Sequence, residues 1–90
     1  MSVTVSVPTI LRTLTGGQKR VSAQGQTVGE VIADLEANHP GIGARLVTDG
    51  ALNRYLNIYV NDEDVRFTEG LDTAVADGDA VTILPAVAGG

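Results

Sequence analysis

The clearest structural signal in the sequence is Thr27-Val28-Gly29-Glu30-Val31-Ile32-Ala33-Asp34-Leu35. Thr27 and Glu30 have the spacing of a capping box, in which a hydroxyl and a carboxylate bind the unpaired amides of a first helical turn. Apolar side chains then recur at the spacing of one helix face, at Val28, Val31, Ile32 and Leu35. Asn38-His39-Pro40-Gly41 ends the pattern, because proline cannot continue helical hydrogen bonding. The sequence therefore predicts one amphipathic helix.

Strand patterns lie on both sides of this helix. Val3, Val5 and Val7 alternate with polar residues, which is the period of a half-buried strand. The predicted strands are residues 3–7, 19–23, 55–61, 65–67 and 80–84, the last of them closed by Pro85. Residues 42–47 are expected to add a short turn of helix, and residues 48–53 to form an exposed loop. We predict an α+β fold, a mixed sheet of four to five strands with one main helix on one face.

Composition narrows the class of protein. The 90 residues suffice for one domain, with a formal charge of −5 from eleven acids and six bases. Such a chain repels nucleic-acid phosphates, so we expect no nucleic-acid partner. It has no cysteine, which suits a reducing cytoplasm. The N-terminus has a strand pattern, not that of a signal peptide, and no apolar run approaches the roughly 20 residues that span a bilayer. We expect a cytoplasmic protein without a membrane partner.

The last residues form a separate unit, Ala86-Val87-Ala88-Gly89-Gly90. We predict a domain over residues 1–85 and a flexible diglycine tail over residues 86–90. Fully extended, the tail reaches roughly 15–18 Å. Glycine lacks a Cβ and fits a narrow site, where the only reactive group delivered is the α-carboxylate of Gly90. The alternative is an inert frayed terminus, since two glycines alone are a weak motif.

Several segments resemble the β-grasp sulfur carriers, a ubiquitin-like family that includes the small subunit of molybdopterin synthase (MoaD) and the thiamin sulfur carrier (ThiS). They are Val60-Asn61-Asp62-Glu63-Asp64-Val65-Arg66, Asp77-Gly78-Asp79-Ala80-Val81-Thr82-Ile83 and Leu84-Pro85-Ala86-Val87-Ala88-Gly89-Gly90. The opening Val3-Thr4-Val5-Ser6-Val7-Pro8-Thr9-Ile10-Leu11-Arg12 resembles the actinobacterial branch that serves cysteine biosynthesis. The resemblance covers nearly the whole chain.

The resemblance implies a mechanism in which the chain is a co-substrate and not an enzyme. A MoeB/ThiF-type enzyme would adenylate Gly90 with ATP and magnesium, and a sulfur donor would convert it to a thiocarboxylate. The acceptor would be a pyridoxal-phosphate (PLP)-dependent cysteine synthase using O-phosphoserine, followed by a zinc-dependent, JAMM-type peptidase. Under this reading the chain binds no cofactor or metal of its own and has no catalytic residue.

A partner surface is expected where the tail leaves the sheet. We predict an apolar patch of Leu84, Tyr59 and Phe67, rimmed by acids and continued by residues 86–88. The alternative for Phe67 is ordinary burial in the core.

Other motifs are assigned to structure. Asn61-Asp62-Glu63-Asp64 and Asp77-Gly78-Asp79 are expected to be turns and not calcium ligands. His39 has no catalytic partner in the sequence, and the arginines are treated as surface charges.

Three other functions remain open. One is a sulfur carrier for molybdopterin or another thiolated metabolite. Another is a protein modifier, in which Lys19 is the only lysine available for chains. The last is an interaction module with an inert tail.

Overall fold

A computed structural model describes residues 2–53 and 55–85 of the chain. Its strands are β1 (Ser2–Ser6), β2 (Arg20–Gln24), β3 (Val47–Thr48), β4 (Ala51–Leu52), β5 (Leu56–Val60), β6 (Glu63–Asp64) and β7 (Ala80–Pro85). Its α-helices are α1 (Val28–Asn38) and α2 (Ile42–Leu46), and short 3₁₀ helices cover Thr9–Thr15, Val65–Phe67 and Gly70–Asp72. The predicted main helix and the short helix after it are both confirmed.

Five strands form the main sheet in the order β2-β1-β7-β5-β6. Strands β1 and β7 are parallel, and the other neighbours are antiparallel. The first and last strands of the chain therefore lie side by side at the centre, which makes the sheet mixed. The predicted α+β fold is confirmed.

Helix α1 covers one face of this sheet through its predicted apolar stripe. The four stripe residues Val28, Val31, Ile32 and Leu35 are all buried. They join an aliphatic core with the inward side chains of the strands, among them Val5, Ile58 and Ile83. The Thr27 hydroxyl accepts a hydrogen bond from the Glu30 amide at 3.2 Å, as predicted. The Glu30 carboxylate instead binds the Gln26 amide at 3.0 Å, one residue earlier than the ideal capping box.

The segment after β5 differs from the prediction. Strand β6 is Glu63–Asp64, whereas Val65–Phe67, expected as a strand, is a 3₁₀ helix. The cause is Asp64, whose carboxylate accepts a hydrogen bond from the Arg66 amide at 2.9 Å and so caps the turn. The apolar residues Val65 and Phe67 then point to different surroundings, the core and the solvent.

Two further predictions, a loop over residues 48–53 and a strand end at residue 84, were also wrong. Residues 48–53 are not a plain loop, because β3 and β4 pair as a small hairpin. Asp49 and Gly50 at its tip both have positive φ, 54° and 77°, the backbone of the tight Asp-Gly hairpin turn. Strand β7 includes Pro85, which lies opposite Leu56, so the strand ends one residue later than predicted.

Within residues 2–53 and 55–85 the helices are all too short or too polar to cross a membrane.

Candidate functional site

Strand β7 lies between β1 and β5 in the sheet. Its first half pairs with β1, with Val5 opposite Val81. Strand β5 pairs with it from Val81 to its last described residue, where Pro85 lies opposite Leu56. The chain therefore enters residues 86–90 from a fixed point in the middle strand of the sheet.

Leu84 and Tyr59 share the sheet face that α1 leaves uncovered. Leu84 lies opposite Asn57 and Thr82 opposite Tyr59, so Leu84 and Tyr59 are diagonal neighbours, about 7–8 Å apart. The alternating residue Ile83 is buried on the helix side. Leu84 is 46% exposed and Tyr59 is half-buried. The structure thus places two of the predicted patch residues on one accessible face.

Phe67 is a third accessible apolar side chain, at the end of its 3₁₀ helix. It is 87% exposed, whereas Val65 two residues earlier is fully buried. The alternative that Phe67 belongs to the core is therefore wrong. An aromatic side chain held this far into solvent has no packing role within the described part of the chain.

Arg66 fastens this 3₁₀ helix to the start of β5. Its guanidinium donates to the Asn57 side-chain oxygen at 2.6 Å and to the Leu56 carbonyl at 2.6 Å. It also donates to the Asn53 carbonyl at 2.7 Å. The prediction that Arg66 is only a surface charge is therefore wrong, since nothing in a sequence shows which distant carbonyls an arginine will meet. It is a positioning residue for the Phe67 segment.

The charge around Leu84 differs from the acidic rim that we expected. On the β6 side an acid is present, because Asp64 lies opposite Tyr59. On the other side Leu84 borders an open groove of about 220 Å³ that contains Arg12, Lys19 and Arg20. We call this the cationic groove; the remaining residues around it are Ser6, Val7, Pro8, Thr82 and Ile83.

One carboxylate has a shifted pKa, at the opposite end of β7. The Ala76 amide donates to Asp79 at 2.8 Å, and this bond together with one from Asn61 lowers the pKa of Asp79 below its ordinary value. Asp79 also ties the turn to β1, since its carbonyl accepts from the Thr4 amide at 3.1 Å. The predicted turn at residues 77–79 thus has a structural role, because it connects the start of β7 to β1. Among the described residues, no group of three histidines and acids could hold a metal ion.

The tail residues of the predicted site, Ala86, Val87, Ala88, Gly89 and Gly90, lie outside the described residues. Their assignment as the sulfur-carrying end stays a prediction, as does the boundary between domain and tail.

Comparison with known proteins identifies the class. A model of the ThiS family matches residues 5–90. The chain belongs to this family of small ubiquitin-like β-grasp carriers, which are not catalytic enzymes, and the predicted family is confirmed.

Within the family, the chain is 69% identical to the sulfur carrier protein CysO of Mycobacterium tuberculosis, over the full length of both chains. The crystal structure of that M. tuberculosis CysO superposes with a TM-score of 0.92 at 68% identity, covering 94% of this chain and 99% of the other. The Amycolatopsis orientalis BexX/CysO complex gives a TM-score of 0.93 at 65% identity, covering 98% and 99%. The predicted likeness to carriers of the cysteine branch is confirmed.

Proposed function

We propose that this chain is a sulfur carrier whose C-terminal Gly90 is loaded as a thiocarboxylate by a MoeB/ThiF-type activating enzyme. The observation that carries the proposal is the full-length 69% identity to a sulfur carrier protein, in a family match that extends to residue 90. The terminal Gly89-Gly90 supplies the group that such chemistry needs.

The chemistry requires activation before sulfur can enter. The Gly90 carboxylate attacks the α-phosphorus of ATP, held with magnesium in the partner, and pyrophosphate leaves. A sulfide equivalent then attacks the acyl-adenylate carbon, and AMP leaves with the bonding electron pair. The product is a main-chain thiocarboxylate. A free carboxylate lacks a good leaving group, so the adenylate step makes the substitution possible.

The fixed end of β7 and the small tail residues support this role. Pro85 is paired in the sheet, and the five residues beyond it reach roughly 15–18 Å when extended. That length separates the folded domain from the reacting atom. The partner would recognise the folded domain while the tail enters its active site. Leu84, Tyr59 and Phe67 are the apolar side chains that we assign to this contact.

The acceptor that we propose is a PLP-dependent cysteine synthase using O-phosphoserine, in the cytoplasm. Similarity to proteins named CysO supports this branch of the family. The thiocarboxylate sulfur would replace the phosphate of the amino acid, an acyl shift would move the carrier to the amine, and a zinc-dependent JAMM-type peptidase would release cysteine. PLP, zinc, ATP and magnesium all belong to the partners. In A. orientalis, a CysO protein forms a complex with BexX, which supports function as a docked partner.

The absence of cysteine makes a direct test simple. Purified protein is incubated with the activating enzyme, ATP, magnesium and sulfide, then treated with iodoacetamide and measured by intact mass. Because the chain contains no cysteine, a single carbamidomethyl adduct at neutral pH reports the thiocarboxylate. Alkylation also separates this product from oxidation of Met1, the only methionine, which adds a similar mass without creating a thiol.

The control is the same chain lacking Gly90, which should give no adduct. Adducts of equal yield in both chains, or none in the full chain, would contradict the proposal. To identify the acceptor, cysteine synthase and O-phosphoserine are added to the loaded carrier. A cysteine residue added to Gly90 supports the cysteine branch, and unchanged thiocarboxylate would favour a molybdopterin-type acceptor.

A second function is favoured by one specific similarity. The chain is 44% identical to small archaeal modifier protein 3 of Haloferax volcanii, over 71% of this chain and 70% of that protein. A modifier would join Gly90 to a lysine amine of another protein. Trypsin cuts this chain last after Arg66, so peptides of other proteins with residues 67–90 joined to a lysine, lost on deletion of Gly90, would support this role.

A further inference from the structure

The cationic groove collects half of the positive side chains of an acidic protein. The whole chain has six lysines and arginines against eleven acids, yet Arg12, Lys19 and Arg20 lie around one groove. No aspartate or glutamate lines this groove in the described part of the chain. Three neighbouring cations repel one another, and no ion pair with a described carboxylate offsets that repulsion.

Buried hydrogen bonds place these cations, so that their grouping is built into the fold. Thr15 is only 3% exposed, and its hydroxyl lies 3.2 Å from the Arg12 carbonyl and 2.9 Å from the Gln18 carbonyl. The Gly17 amide also donates to the Arg12 carbonyl at 2.7 Å. This turn brings the start of β2 back beside the Thr9–Thr15 helix.

The side chain of Arg12 is oriented as well. Its Nε donates to the Val7 carbonyl at 3.1 Å, and the Val7 amide donates to the Lys19 carbonyl at 2.8 Å. Lys19 and Arg20 are exposed. The guanidinium is thereby fixed at the wall of the groove, next to two cations that solvent can reach.

The groove adjoins the exit of the tail. Leu84 forms part of its wall and is the residue before Pro85, the last described residue of β7. A partner that takes the tail into an active site must also cover the surface around that exit. On one side it meets Tyr59 with Asp64 opposite, and on the other side it meets the three cations.

We propose that the cationic groove binds an acidic segment of the activating enzyme, one that presents carboxylates to Arg12, Lys19 and Arg20 and an apolar side chain to Leu84. This assignment rests on the proposed function. The complementary charge on the partner would orient the carrier around the axis of its tail, because the β6 side of the exit carries an acid. Apolar contact at Leu84 supplies affinity, and the charge supplies the correct rotation and a faster encounter.

The test compares single charge reversals that change the total charge equally. Lys19→Glu, Arg20→Glu and Arg45→Glu each change the formal charge from −5 to −7. All three side chains are exposed, and Arg45 lies on α2, in the helix layer. Affinity for the activating enzyme is measured by fluorescence titration with chains lacking Gly90, so that no chemistry follows binding.

We expect Lys19→Glu and Arg20→Glu to weaken binding by about threefold to tenfold, and Arg45→Glu by less than about twofold. The difference should shrink between 0.1 and 1 M salt, where the Debye length falls from about 10 Å to about 3 Å. Equal affinities for all three variants, or a deficit that salt does not reduce, would overturn the proposal. So would failure of the unsubstituted chain to bind the enzyme.

The two proposals fail in different ways. If the full-length chain acquires an alkylatable sulfur at the same initial rate with Lys19→Glu as without it, the groove assignment is wrong and the carrier function stands. If no sulfur is loaded although binding depends on Lys19 and Arg20, the carrier function is wrong and the groove assignment stands. An Arg12→Gln variant, which keeps a donor for the Val7 carbonyl, should also weaken binding if the fold is retained.

Discussion

Arg66 and Asn57 are joined by a hydrogen bond of 2.6 Å, from the guanidinium to the side-chain oxygen. Asn57 lies directly opposite Leu84 in the pairing of β5 with β7. One arginine therefore connects the segment that carries exposed Phe67 with the strand pair from which the tail leaves. These hydrogen bonds tie the segment of Phe67, one of the residues that we propose for the partner contact, to the strand pair that contains Leu84.

Replacing Arg66 should loosen this connection. Arg66→Ala removes three hydrogen bonds to Asn57, Leu56 and Asn53, and we expect a loss of about 1–2 kcal/mol in the free energy of unfolding. Urea denaturation measures the change. Arg45→Ala, an exposed arginine on α2, is the control and should be nearly neutral. Equal urea midpoints for Arg66→Ala and Arg45→Ala would show that the hydrogen bonds of Arg66 do not stabilise the fold. Arg66→Lys should not restore stability, since an ammonium cannot reproduce the planar fork.

Substitutions of Phe67 and Val65, which lie in the same 3₁₀ helix, should have different effects on partner binding and on stability. Phe67→Ala should change the free energy of unfolding by less than about 0.5 kcal/mol, because the ring is 87% exposed. It should weaken binding to the activating enzyme by about tenfold, since exposed aromatics dominate many interfaces. Val65→Ala, at 0% exposure, should cost about 1–3 kcal/mol through the cavity that it leaves. Thermal unfolding and fluorescence titration measure the two effects. If Phe67→Ala binds the activating enzyme with unchanged affinity, Phe67 is not part of the partner contact.

Substitution of Thr15 should show whether its hydroxyl holds the turn that brings Arg12 close to Lys19 and Arg20. Thr15→Val keeps the shape but loses the hydroxyl that bonds to the Arg12 and Gln18 carbonyls, so we expect about 1–3 kcal/mol lower stability. Thr13→Val, at an exposed position of the same 3₁₀ helix, is the matched control. Amide hydrogen exchange at Gly17, whose amide donates to the Arg12 carbonyl, should speed up in Thr15→Val alone. Similar exchange in both variants would show that the hydroxyl does not hold the turn.

Asp79 should contribute to the loss of stability in acid. The pKa of Asp79 in the folded protein is lowered, so its contribution to stability is complete above its ordinary value of 3.8 and is lost as pH falls through the folded pKa. Asp79→Asn removes this titration and should make the decline in melting temperature below about pH 4 less steep. A variant with the same acid slope as the parent chain would show that Asp79 is not responsible. Direct titration of the carboxyl by NMR gives an independent check.

Local patterns were sufficient for the layout of the fold. The capping residue Thr27 and the apolar stripe ending at Leu35 placed α1, because both signals lie within a few residues of each other. The alternation of apolar and polar residues predicts β1, β2, β5 and β7 to within one or two residues. It failed at Val65–Phe67, where apolar alternation fitted a strand but the Asp64 cap imposed a 3₁₀ turn. It also missed the β3–β4 hairpin, although Asp49-Gly50 is a recognisable turn signal.

Some residues of the candidate site could be predicted from local sequence patterns, and others could not. Leu84 and Tyr59 could be assigned to the uncovered face because alternation within one strand determines which side chains point inward. Arg12 and the start of β2 could not be placed together, since their proximity depends on the buried Thr15 hydroxyl and the turn that it holds. The expected acidic rim was consequently wrong on the side of the cationic groove.

The class of fold, the buried face of the helix and the family follow from the sequence, because periodicity, capping and terminal motifs each involve neighbouring residues. The hydrogen bonds of Arg66 to β5, the exposure of Phe67 and the three cations next to the end of β7 are visible only in the folded chain. Those features depend on pairings between distant segments, and the geometry of such pairings arises only when the strands are assembled into one sheet.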